Sequence, residues 1–171
     1  MNFRKYFRPK VPADRAAWAV GKSLLDADDC WRDVCSLREY KVAGSVATCE
    51  MAFARSAVIR HLYKSIRQDN ISAVMTDAFD DLLKQSFAGD GGPELTDHYK
   101  QPNLTQIMLG RTAFYDQKAF PFFQLGMHFV LAVGVPDGRD ATQIGLMFNA
   151  IYARGEKMLS QARLSADCER P

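Results

Sequence analysis

No Cys-x-x-Cys pair, no Glu-x-x-His and no His-x-x-x-His occurs in this chain of 171 residues. Without them, Cys30, Cys35, Cys49 and Cys168 have no zinc spacing, and the histidines His61, His98 and His128 lack the repeated motif of a di-iron bundle. Free thiols in a reducing cytoplasm are the expectation, with neither metal nor cofactor. An excess of one charge is missing too. The net charge is +2 and the pI 8.3, below the value of about 9 that marks dedicated nucleic-acid binders. The longest uncharged stretch, residues 119–136, holds eighteen residues and only touches the length of a membrane span. It also contains Pro121, Gln124, Gly126, His128 and Gly134, so a central helix wrapped by its neighbours is expected, and no membrane. After the cations of residues 1–10 no apolar run follows, because Pro9, Pro12, Asp14 and Arg15 interrupt it. No secretory leader is expected, and the chain reads as cytoplasmic.

Period-2 alternation is absent as well, so no sheet is expected. Helical spacing is present almost throughout. Ala13, Ala17, Val20, Leu24, Ala27, Trp31 and Val34 form one stripe, with Asp26–Asp29 either breaking it or forming a solvated turn. Gly44–Ser45 reads as a stop and cap before a helix over residues 46–68, whose Met51, Ala54, Val58, Leu62 and Ile66 face inward. A third stripe through Ile71, Met75, Ala78 and Leu82 ends at Gly89, and the short turn before it predicts an antiparallel hairpin. Asn103 is the expected N-cap of a helix through Tyr115. Pro121 opens or kinks the uncharged helix, and a last helix runs from about Asp140 to Leu164. The expected fold is all-α: one helical bundle of five to seven helices over residues 13–164, preceded by a basic, proline-containing arm (1–12) and followed by a polar tail (165–171).

One motif misleads. Ala16 to Ser23, closing in Gly21-Lys22-Ser23, satisfies the relaxed phosphate-loop pattern. That chemistry needs a strand, then a glycine-rich turn whose N–H groups wrap phosphates, then a helix start. Here Ala, Trp, Ala and Val fill the variable positions, and the segment already fits an amphipathic stripe. It is read as helix.

No catalytic grouping stands out. The arm carries Arg4, Lys5, Arg8 and Lys10 among Phe3, Tyr6 and Phe7, which suits a contact surface. Arg60, Lys64 and Arg67 form a basic ridge at helical spacing, open to an acidic partner or to pairing with Asp77, Asp80 and Asp81 on the next helix. Gly110, Gly126, Gly145 and Gly155 sit inside helical patterns beside many large rings, an arrangement that suits close helix approach or an apolar pocket. His128, Phe123 and Tyr152 are the candidates to line such a pocket. The leading expectation is a non-enzymatic interaction or accessory protein that self-associates. The alternatives are a carrier or sensor of a small apolar ligand, held between the C-terminal helices, and a nucleic-acid-associated protein using the basic arm.

Overall fold

The computed structural model describes residues 8–117, 120–135 and 138–166. These residues form the all-α domain expected, with seven helices of nine or more residues and one of seven. Arg4 and Lys5 of the arm, and residues 167–171 of the tail, lie outside the described residues.

The first stripe is two helices, α1 (Ala13–Leu24) and α2 (Ala27–Cys35). Asp26 decides the break: its carboxylate accepts the backbone N–H of Asp29 at 3.1 Å and caps α2. Asp28 and Asp29 then occupy the first turn, where the helix dipole favours negative charge. The phosphate-loop look-alike lies wholly within α1, and Gly21 faces the neighbouring helix. A Cβ there would stand 2.7 Å from Leu82 and 2.9 Å from Phe79, so this glycine serves close packing.

The centre of the bundle is α3 (Gly44–Lys64), not the uncharged segment. Met51, Phe53, Ala54, Ala57, Val58 and Ile59 are all fully buried, and the seven other described helices all pack against it. It begins two residues before the expected start. Ser45 lies in its first turn rather than capping it, and its hydroxyl donates to Glu94 instead. After the turn at residues 65–68, α4 (Asp69–Ser86) packs chiefly on α1 and less extensively on α3.

Pro93 opens the short α5 (Pro93–Tyr99), as suits a residue without an N–H in the first turn. Asn103 caps α6 (Leu104–Asp116) as expected, accepting from Gln106 N at 3.0 Å. Pro121 directly precedes α7 (Phe122–Ala132), which turns only one face inward, through Phe122, Leu125, Gly126, Phe129 and Val130. The last helix, α8 (Gly138–Leu159), stops five residues short of the expected end. Beyond it, β2 (Arg163–Ser165) pairs in parallel with β1 (Lys10–Pro12), bringing the arm and the start of the tail together. Three residues per strand are too few to leave an alternation signal.

Candidate interaction surface

Two glycines set the α7–α8 crossing. A Cβ on Gly126 would meet the Ala141 carbonyl oxygen at 2.5 Å and the Gly145 nitrogen at 2.9 Å. One on Gly145 would lie 3.0 Å from the Phe123 Cα. The backbones therefore touch, and the large side chains around the crossing are pushed outward. Phe120 (66% exposed), Phe123 (51%) and Leu146 (67%) face water around a groove of about 290 Å³. Pro121, Phe122, Thr142, Gly145 and Asn149 complete its walls, and none of the described residues lining it is charged.

The exposed Phe120 ring is held in place. It stacks on His61 of α3 with centroids 5.2 Å apart and planes within 8°. His61 also meets Phe122 edge-on at 6.0 Å and Tyr152 at 5.8 Å. Tyr152 donates to Ser65 Oγ at 3.0 Å, fixing the far side of the cluster.

The three pocket candidates separate. Phe123 lines the groove, whereas Tyr152 belongs to the His61 cluster behind it. His128 does not line the groove; it is half-buried and sets its ring edge-on to Phe114 of α6 at 5.6 Å. The basic ridge separates as well. Arg60 turns inward and binds Asp80 at 2.6 Å and Asp116 at 2.8 Å. Burial opposes its charge, but the two carboxylates outweigh that and raise its pKa. Lys64 is exposed, 3.9 Å from Asp116. Arg67 lies exposed beyond the end of α3. Arg8 and Lys10 are exposed at the start of the described chain.

Glu50 carries the chain's largest unforeseen feature. It is 1% exposed and accepts hydrogen bonds from the Tyr99 hydroxyl (2.6 Å), the Tyr115 hydroxyl and Arg111 Nη2 (2.8 Å). Arg111 Nε also lies 2.8 Å from the other carboxylate oxygen, within ion-pair distance but off the hydrogen-bond axis. The same guanidinium covers the Phe114 ring at 4.5 Å. Burial first, then the Glu50 charge, pushes both tyrosine pKa values up. With both oxygens engaged, this carboxylate ties α3 to α5 and α6 and is not free to take a proton from a substrate. No motif joins residues 50, 99, 111 and 115; the only local signal is the i, i+4 spacing of Arg111 and Tyr115.

Neither Cys30 nor Cys49 is an activated nucleophile. Burial raises each thiol to about 11, so both are protonated at neutral pH. Among the described residues no cluster of side chains could hold a metal ion, and no helix is long and apolar enough to cross a membrane. Comparison with protein-family models, curated proteins and solved structures gave no match.

Proposed function

We propose that this chain is a non-enzymatic interaction protein of the cytoplasm that self-associates through the α7–α8 face. The observation that carries the reading is the cluster of Phe120, Phe123 and Leu146 around an uncharged groove. Exposed aromatic and aliphatic side chains gathered in one place mark contact surfaces more often than scattered ones do. A second copy is the occupant that the chemistry favours. Two-fold pairing sets a surface against itself, so any net charge would repel its own image; the described residues lining this groove carry none. It also offers both projecting rings and a recess to receive them. The Phe120 ring is already ordered by His61, so less side-chain freedom is lost on contact. The inert thiols and the saturated Glu50 support a non-enzymatic role. The cytoplasmic assignment draws support from Cys30, Cys35 and Cys49, which are free thiols.

Light scattering over a concentration series, at low and at high salt, tests this reading. The mass should rise from 19.2 kDa toward the dimer with increasing concentration, and high salt should not reverse it, because apolar burial is not screened. A mass that stays monomeric to about 0.1 mM, where contacts of useful affinity (about 5 kcal/mol) are populated, contradicts it.

A further inference from the structure

We propose that the groove between α1 and α4 docks the chain's own basic segment, residues 1–7, which carries Arg4 and Lys5 and is followed by the exposed Arg8. The groove has a volume of about 510 Å³. Trp18 and Val74 give it an apolar lining, and Asp14, Asp77 and Asp81 an acidic one. The Trp18 ring already holds one cation, with Lys22 Nζ 5.4 Å from its centroid, and an arginine can stack on the same ring system. The carboxylates are lightly used. Among the described residues Asp14 accepts only from the adjacent Arg15 N–H, at 2.8 Å. Asp81 meets Lys84 at 3.3 Å with both side chains more than half exposed, a pair that exchanges readily. Asp77 has no hydrogen-bond or ion-pair partner among the described residues.

The segment departs from a fixed point near this groove. The Pro9 carbonyl accepts from Arg163 N at 2.9 Å, β1 follows it, and Asp14 of the groove wall comes two residues after β1. Lengths agree as well. Val74 to Gln85 spans about 16 Å along α4 at the helical rise, and Arg4 to Arg8 spans about 13 Å when extended. A tether of a few residues keeps the segment at high local concentration, so individually weak ion pairs suffice to seat it. Seated there, the basic segment is withheld from external acidic partners. This proposal is independent of the α7–α8 face.

Tryptic cleavage after Arg4 and Lys5 in the full chain, followed by mass spectrometry and normalised to cleavage after Lys100, tests the docking. Asp77 and Asp81 are exposed, so Asp77→Asn with Asp81→Asn leaves the fold intact. The double variant should be cut at least about fivefold faster, the population shift expected from losing two weak ion pairs. Salt at about 0.5 M, where the Debye length is only a few ångströms, should speed cleavage of the parent but not of the variant. Equal rates in parent and variant overturn the proposal. Protection that grows with protein concentration also overturns it, assigning the groove to the segment of a second copy.

Discussion

Glu50 and Lys22 mark opposite ends of what a single side chain contributes here. Glu50 is sealed in with Arg111 and two tyrosines. Glu50→Ala leaves the guanidinium and two hydroxyls without their acceptor, and chemical denaturation should show a loss of about 3–5 kcal/mol. Glu50→Gln keeps one acceptor oxygen and should lose less. Lys22 is exposed and among the described residues interacts only with the Trp18 ring, so Lys22→Ala should change stability by no more than about 0.5–1 kcal/mol. Nucleotide affinity abolished by that change would contradict the helical reading of the Gly21-Lys22-Ser23 segment. The thiols add a pH dependence whose sign is fixed. Cys30 and Cys49 rise from an ordinary value of 9.0 to about 11 in the folded chain. Between those values the unfolded chain releases thiol protons that the folded chain retains, so stability should fall as pH rises from 9 to 11. Replacing both cysteines by alanine should flatten that slope in pH-dependent melts. The Asn103 cap was legible because its chemistry is local. The Glu50 cluster was not, because its members meet only through tertiary packing of three helices.

At the scale of helices, the glycines that look alike in sequence part company. Gly126 sits where α7 and α8 touch, with a carbonyl oxygen 2.5 Å from the place of its missing Cβ. Backbone cannot yield as a side-chain tip can, so Gly126→Ala should cost about 3 kcal/mol or more, read by thermal or chemical melting. Gly110 of α6 has nothing within 4 Å of that place. Gly110→Ala should therefore stabilise the chain by about 0.5–1 kcal/mol through helix propensity alone. The reverse ordering would contradict the helix packing described. Sequence placed α3, α4, α6, α7 and α8 nearly where they lie and marked α1 and α2 as one apolar stripe of helical period, with the break at Asp26–Asp29 left open. It misjudged which one is central. An absence of charge marked residues 119–136, yet α7 exposes Phe123 and Leu131. The true centre, α3, contains Glu50 and Arg55, whose polarity is hidden by partners from other helices, and Ser56, whose hydroxyl donates to the Ala52 carbonyl one turn back in the same helix.

Across the whole molecule, the two ends of the helical domain are held by β1 and β2 and by the Pro9–Arg163 hydrogen bond. A variant beginning at Ala13 loses these few hydrogen bonds, worth about 2–3 kcal/mol together. Its Tm should fall by roughly 5–10 °C for a chain of this size while melting stays cooperative. An unchanged Tm would mean that the strand pair adds nothing. The helical class was legible from periodicity, whereas the groove was not, because Phe120, Phe123 and Leu146 gather only once Gly126 and Gly145 bring their helices into contact. The proposed self-association rests on that groove. Sedimentation velocity of the parent beside a Phe123→Asp, Leu146→Asp double variant tests it most directly, with circular dichroism to verify equal helix content. Both positions are more than half exposed, so the fold should survive while two carboxylates face their own images across the contact. The parent should dimerise with concentration while the variant remains monomeric throughout; equal dimerisation of the two, or a parent that never dimerises, rules out self-association through this face.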